Sequence, residues 1–495
     1  MNARPLIAIC GTTGVGKSKL SIELALALAN SRGTQKHGWH GARIINADSM
    51  QVYTGMDIIT NKVPESEQQG VEHLLMSFKN PGEQYVVGEW VSDAVREINE
   101  THAQHKIPIV VGGTSYWIQH LLFPDRLATT SRPSDRPAEH TQLPHEMAQY
   151  VSKLPPELQS LLHDLPEEPP DASVDSRSAF SLYNLLKDLD PAAASRWHWK
   201  DTRKVLRSLE IIKETGRKPS DIWNEQSGNV MKPRYRTLCF WLFAEPSALN
   251  PRLDARVDDM IKQGLLDEIN SLQKIATAGY SPFTDSQYRL SSPSPVDYTL
   301  GIYQAIGYKE FHDYLNSSNP TEASFKEAID RMKLSTRQYA QRQVKWIRNK
   351  LLPAVYATQV TDKSSITAYL LDASRVDATW NSNVRDKGEQ IMHDFLEGNS
   401  LPDPFSLSEI ARIMLTVQDR PTRPTARRKV ICPVCTTKDN EPVMIEEGEQ
   451  WEIHRKTRAH KYMATREARW AEVAKWKRIK EERKAREAES RAVQS

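Results

Sequence analysis

Pro5-Leu-Ile-Ala-Ile-Cys-Gly-Thr-Thr-Gly-Val-Gly-Lys-Ser18 is the stretch on which the reading of this 495-residue chain turns. Pro5–Cys10 is a short apolar strand. Gly11-Thr12-Thr13-Gly14-Val15-Gly16-Lys17-Ser18 satisfies G-x4-G-K-[ST], and Lys17–Asn30 follows with Leu20, Leu24, Ala27 and Leu28 on one helical face. Strand, glycine loop and helix in that order give the motif its chemistry. The glycines let the backbone curl until successive N–H groups face one anion, and the helix N-terminus adds its partial positive charge. Lys17 then neutralises the distal phosphate, and Ser18 is placed to hold Mg²⁺. A diphosphate or triphosphate is the expected ligand.

Two more apolar runs follow. Arg43–Ala47 ends at Asp48-Ser49, and Ile107–Val111 ends at Gly112-Gly113-Thr114. Alternation of strands and helices predicts an α/β fold: a P-loop NTPase-like parallel sheet whose ligands sit at the carboxyl edge of its strands. The third run ends in glycines where an ATPase or GTPase would carry a magnesium-positioning acid, which argues against an ordinary hydrolase. Texture along the chain divides it further. Residues 1–122 read as the first part of the core and 123–200 as a helical insertion. Residues 201–352 read as the rest of the core, with the strand Arg236–Ala244 returning to the sheet. Residues 353–425 read as a weakly patterned connector, 426–463 as a Cys/His unit and 464–495 as a charged helical tail.

Length alone allows about three domains. With 39% hydrophobic and 26% charged residues the chain is globular, and it has no apolar run long enough to span a bilayer. The glycine loop begins so early that no targeting peptide is expected ahead of it. The net charge of +3 conceals a gradient. Residues 420–495 hold 20 Lys+Arg against 12 Asp+Glu, a net of +8, which leaves −5 for the first 419. A basic tail on a mildly acidic body suits an anionic macromolecule such as nucleic acid. Cys10 and Cys239 lie in apolar runs as buried thiols, so a reducing compartment is expected.

Six motifs in order resemble the tRNA dimethylallyltransferase (tRNA isopentenyltransferase, IPP transferase) family. They are Gly11–Ser18; Ile44-Ile-Asn-Ala-Asp48-Ser-Met-Gln-Val-Tyr53; Ile107-Pro-Ile-Val-Val-Gly-Gly-Thr114; Asp201-Thr-Arg-Lys-Val-Leu-Arg207-Ser-Leu-Glu210; Ala305-Ile-Gly-Tyr-Lys309; and Thr336-Arg-Gln-Tyr-Ala-Gln-Arg-Gln-Val-Lys-Trp-Ile-Arg348. The Cys/His extension is most similar to the eukaryotic, fungal branch. The resemblance implies transfer of a dimethylallyl group from dimethylallyl diphosphate to N6 of adenosine 37 of tRNA, with Mg²⁺ as the catalytic cofactor. It implies Asp48 as the base, Thr114 beside the reacting groups and Arg256 on the diphosphate, together with a loop holding that diphosphate. It also implies tRNA contacts from Ser49, Met50, Gln51, Ser115, Arg203, Lys204, Arg207, Gln304, Lys309, Arg342, Gln343, Lys345 and Arg348. An anticodon arm bearing A36-A37-A38 is the implied partner, with a monomeric enzyme, no membrane, and a cytoplasmic location with mitochondrial and nuclear pools as alternatives.

The residues support this chemistry independently. Departure of diphosphate needs cations and backbone donors at the leaving group, which the loop supplies. The exocyclic amine of adenine is a weak nucleophile, sharpened by a carboxylate that takes its proton. Asp48 read alone is more commonly a strand-end helix cap, and Arg256 a surface ion pair. Over Lys326–Lys350, Met332, Thr336, Ala340, Val344, Ile347 and Leu351 make an apolar stripe, while Arg331, Arg337, Arg342, Lys345 and Arg348 lie off it. That pattern predicts an amphipathic helix with a cationic face for phosphates.

Cys432, Cys435, His454 and His460 follow C-x2-C-x18-H-x5-H, a donor set suited to tetrahedral structural Zn²⁺. Arg427-Arg-Lys429 and Arg455-Lys-Thr-Arg458 surround it with positive charge, which points to a finger that faces RNA. Two competing readings fit parts of the chain. An adenylate isopentenyltransferase or a P-loop small-molecule kinase would use the loop but needs neither insertion, cationic helix nor finger. A nucleic-acid-binding protein with a degenerate loop is opposed by the intact Lys17, Ser18 and Asp48.

Overall fold

The computed structural model describes residues 4–31, 36, 38–124, 145–228, 232–278, 301–362, 364–375, 379–416, 428–466 and 475–481. Pro/Ser-rich residues 281–295, residues 421–425 of the expected connector and most of the charged tail lie outside the described residues. The chain divides into two compact units, Met1–Leu127 with Asn229–Gln418, and Ala128–Gly228 with Asp419–Ser495.

The first unit is built on a six-stranded parallel sheet: β1 (Pro5–Gly11), β2 (Ala42–Asn46), β3 (His73–Leu74), β4 (Ile107–Gly112), β5 (Arg236–Phe243) and β6 (Ile366–Asp372), in the order β3-β2-β4-β1-β5-β6. Alternation along each strand sorts side chains between the two faces. Leu6, Ala8 and Cys10 join one core with Val110, Cys239, Trp241 and Phe243. Ile7 and Ile9 join the other with Ile109, Leu238, Phe240 and Leu242, against the helix Lys17–Asn30. Both faces are covered, as parallel sheets require. β1 sits between β4 and β5, so connections diverge to either side of it and leave a crevice at its carboxyl end, where the glycine loop begins.

The segment 353–425, expected as a connector, instead contributes β6, which pairs with β5 from Thr237↔Ile366 to Phe243↔Asp372. Its sequence, Ile-Thr-Ala-Tyr-Leu-Leu-Asp, is a short apolar run without alternation because it is buried on both faces, so no periodicity announces it. The same segment adds the helix Asp386–Glu397, whose Ile391, Met392 and Phe395 pack on the second core. The cationic helix runs Glu322–Trp346, starting on a Thr321 side-chain cap, and passes through a π-turn at Ile347–Leu351.

The second unit joins two stretches remote in sequence. Its core gathers Leu182, Leu186, Trp199, Leu206 and Leu209 with Ile431 and Met444 from the Cys/His unit. Trp199 Nε1 donates to the carbonyl of Pro442 at 2.8 Å, and Lys429 N to that of Ser195 at 2.6 Å. The insertion and the finger are therefore one folded body. Within it, Asp190-Pro191 starts a new helical turn on a cap: the Asp190 carboxylate accepts from Ala193 N at 2.9 Å and from Ser220 N at 2.8 Å. The helix Thr202–Thr215, expected in the core, falls in this unit.

Candidate active site and metal centre

A cavity of about 690 Å³ opens where β1, β2 and β4 end, lined by Thr13, Gly14, Gly16, Lys17 and Ser18 of the loop, with Asp48, Gln51, Gly113 and Arg256 among the residues facing it. Gly11, Thr12 and Val15 support the loop from beneath: Thr12 and Val15 are buried and Gly11 ends β1. Gly16 has φ +89°, and a Cβ there would lie 2.6 Å from the ring of Trp380. Its place admits only glycine, because an aromatic from beyond β6 backs the loop.

Lys17 Nζ donates to the carbonyl of Thr12 at 2.7 Å. Burial pulls its ammonium down to about 8, against the opposing attraction of Asp48. A bound anion supplies the charge that restores it. Asp48 leaves β2 on a tight turn: its backbone N–H donates to Asn46 Oδ1, and its Oδ1 accepts from Met50 N, both at 3.0 Å. Burial raises the Asp48 carboxyl above its ordinary range, with the Met50 amide, Lys17 and Arg256 pulling the other way. A raised carboxyl facing two cations is both a stronger base and still able to ionise.

Arg256, on the helix Pro246–Lys262, donates from Nη1 to Thr13 Oγ1 at 2.9 Å and from Nε to Asn61 Oδ1. Burial lowers its pKa to about 10, which leaves it charged at neutral pH. The surface ion pair is thus excluded, since the guanidinium faces the loop. Asn61 was missed by sequence reading. Its backbone is left-handed at φ 51°, and Gln51 Nε2 holds that turn by donating to the carbonyls of Thr60 and Asn61, both at 3.1 Å. Thr114 accepts Ser49 N–H on Oγ1 at 3.1 Å and donates to Ser49 Oγ at 3.3 Å. It therefore holds the turn that carries Asp48.

Other expected RNA contacts divide. Gln304, Lys309, Arg342 and Lys345 are exposed, and Ser49, Met50 and Arg348 partly so. Ser115 and Gln343 are buried. Gln343 points inward because it shares the buried side of its helix with Ala340 and Ile347, and its amide bonds the backbone of Thr13 and Gly113. The cationic face is also narrower than its sequence suggests. Arg337 pairs with Asp254, Lys333 with Asp258 at 2.6 Å, and Arg331 with Asp313 at 3.7 Å. Those acids come from neighbouring helices and cannot be seen in the helix's own sequence. Arg203, Lys204 and Arg207 lie on Thr202–Thr215 of the second unit. Lys204 contacts Asp201 at 2.5 Å and Arg207 contacts Glu210 at 2.8 Å.

In the second unit Cys432, Cys435, His454 and His460 bring one donor atom each to within 4.8 Å of the others. His460 Nδ1 lies 3.5 Å from Cys432 Sγ, 3.4 Å from Cys435 Sγ and 3.2 Å from His454 Nε2. Zinc–sulfur bonds of about 2.3 Å and zinc–nitrogen bonds of about 2.0 Å at tetrahedral angles give S···N edges of about 3.5 Å and N···N edges of about 3.3 Å. The three edges that meet at His460 Nδ1 match that frame.

Similarities to known proteins fit this arrangement. The sequence model of the family described as IPP transferase matches residues 51–350. A Schizosaccharomyces pombe protein named tRNA dimethylallyltransferase is 36% identical over 475 residues, 95% of this chain and 97% of its own length. Its Saccharomyces cerevisiae namesake is 34% identical, covering 97% and 96%. A solved structure of a eukaryotic dimethylallyltransferase acting on tRNA superposes with a TM-score of 0.70 at 33% identity, covering 96% of this chain and all of that one.

Proposed function

The chain belongs to the IPP transferase family, and from that premise we propose that it transfers the dimethylallyl group of dimethylallyl diphosphate to N6 of adenosine 37 in tRNA. The observation that carries the reading is the convergence of Lys17, Arg256 and Asp48 on the lining of one cavity, close enough for the two cations to act on the carboxyl. A phosphoryl transferase needs the first half of that arrangement. A base facing the diphosphate-holding cations is what alkylation of an amine requires.

The C1–O bond of the allylic diphosphate breaks with its electron pair going to the leaving diphosphate, which Lys17, Arg256 and the loop amides stabilise. The N6 lone pair forms the bond to C1. Asp48 takes the N6 proton, and its raised affinity for protons suits that task. Ser18 lines the cavity next to Lys17 and would hold Mg²⁺, which would add positive charge at the diphosphate. Adenosine 37 has to leave its stack to enter such a cavity. The exposed Arg342 and Lys345, with Arg348, support contact to the anticodon arm, and A36-A37-A38 is the sequence we expect there. Cys432, Cys435, His454 and His460 would hold Zn²⁺, which would stiffen the finger that packs on the insertion. No described helix is long and apolar enough to cross a membrane.

The test is incubation with labelled dimethylallyl diphosphate and either an anticodon stem-loop bearing A36-A37-A38 or AMP. Label in the stem-loop at position 37 is the expected result. Label in AMP alone would convert the assignment to an adenylate transferase.

A further inference from the structure

Gln343 makes contacts that neither a structural core residue nor an RNA contact requires. It is 5% exposed, on a helix whose neighbouring Arg342 and Lys345 are exposed. Its Oε1 accepts the N–H of Thr13 at 2.9 Å and its Nε2 donates to the carbonyl of Gly113 at 3.0 Å. Thr13 belongs to the loop that holds the leaving group. Gly113 precedes Thr114, which fixes the turn carrying Asp48. A Cβ on Gly113 would stand 2.5 Å from Gln343 Nε2 and 3.3 Å from Asp48 Oδ2, so amide and carboxylate abut the same point. Glycine is required there to let them approach.

We infer that Gln343 is a positioning residue that sets the distance between the diphosphate loop and the Asp48 wall, and so aligns C1 of the donor with N6 of the acceptor. The two walls come from different strands, β1 and β4. Those strands fix their ends up to Gly11 and Gly112, but the loops beyond them need a tie of their own. One planar amide with a donor and an acceptor bridges both backbones, which no hydroxyl or charged side chain does as well. Transfer needs the nucleophile, C1 and leaving oxygen in near-attack geometry, and a misplacement of about 1 Å costs about 100-fold in rate. Gln343 acts through backbone that others use to hold substrate, and its loss should appear in the chemical step before it appears in binding.

This inference rests on the proposed prenyl transfer. The experiment compares full-length Gln343→Met, which keeps the volume and removes both hydrogen bonds, with wild type and with Phe395→Leu. Phe395 packs in the second core, away from the cavity lining, and serves as a stability control. Single-turnover transfer to the anticodon stem-loop, KM for dimethylallyl diphosphate, stem-loop affinity and Tm are measured for each. The expected result for Gln343→Met is a transfer rate about 100-fold lower, with KM and stem-loop affinity within about threefold of wild type. Phe395→Leu should lose Tm without losing rate. An unchanged rate in Gln343→Met, or a loss confined to KM, overturns the inference while leaving the function intact. Absence of transfer by the wild type overturns the function and the inference together.

Discussion

Arg256 Nη1 donates to Thr13 Oγ1 at 2.9 Å, a bond between residues 243 positions apart that brings a guanidinium over the diphosphate loop. Asn61 holds the other edge of the same guanidinium. The arginine is thus oriented in advance for an anion with two or more oxygens.

Replacing Arg256 with Ala should raise KM for dimethylallyl diphosphate and lower kcat, together costing about 100-fold in kcat/KM or more. Arg256→Lys should recover only part of this, because an ammonium cannot reach Thr13 and the diphosphate in one plane. Steady-state kinetics with the stem-loop saturating read both numbers. Equal kinetics for the lysine variant and wild type would mean that a point charge suffices.

Activity should rise and then fall with pH. Asp48 must be ionised to accept a proton, so the rate drops as pH falls through its raised pKa, above the ordinary carboxylate range. Lys17 must be charged to hold diphosphate, so kcat/KM falls as pH climbs through about 8 in the free enzyme. Bound diphosphate favours the ammonium, which moves the alkaline limb of kcat to higher pH than that of kcat/KM. Coincident alkaline limbs for the two parameters would remove Lys17 from this role.

The narrowed cationic face makes a distinction that salt titration can read. Arg342→Gln and Lys345→Gln should each weaken stem-loop binding and reduce the slope of log K against log salt by about one. Arg337→Gln should leave that slope unchanged and lower Tm, because Arg337 is held by Asp254 on the neighbouring helix. A slope change for Arg337 equal to that for Arg342 would put it on the RNA.

Zinc content and folding are linked in the second unit. The full chain should carry one zinc per molecule. Cys435→Ser should lose it and lower the melting of that unit, since Ile431 and Met444 pack in the core formed by Trp199 and Leu206. The effect on transfer should appear as weaker stem-loop binding, with the single-turnover rate at saturation preserved. Removal of residues 420–495 is a harsher change, because it also uncovers Trp199, whose indole donates to Pro442.

The central strands and the loop are legible in the sequence because each carries a local signal: an unbroken apolar run, a glycine spacing, a strand-end Asp. β6 carries none that separates it from its surroundings, and its partner β5 lies more than a hundred residues earlier. The family resemblance named Arg256 for the diphosphate and Gln343 for tRNA, but only the fold shows that one faces the loop and the other braces it. Asn61 gives a faint signal, an Asn at a turn, which is the residue type that tolerates the left-handed region. The pairing of Arg337 with Asp254 and the merging of insertion with finger depend on contacts between distant segments, which helical periodicity does not encode.

Proton transfer from N6 to Asp48 is the step on which the proposed reaction depends most. Asp48→Asn keeps the shape of the turn and the acceptor for Met50 N while removing the basic oxygen. Single-turnover transfer is followed with dimethylallyl diphosphate and stem-loop both saturating, alongside the stem-loop Kd. The predicted result is a rate lower by about 100- to 10,000-fold with the Kd nearly unchanged. A rate equal to that of wild type would contradict it.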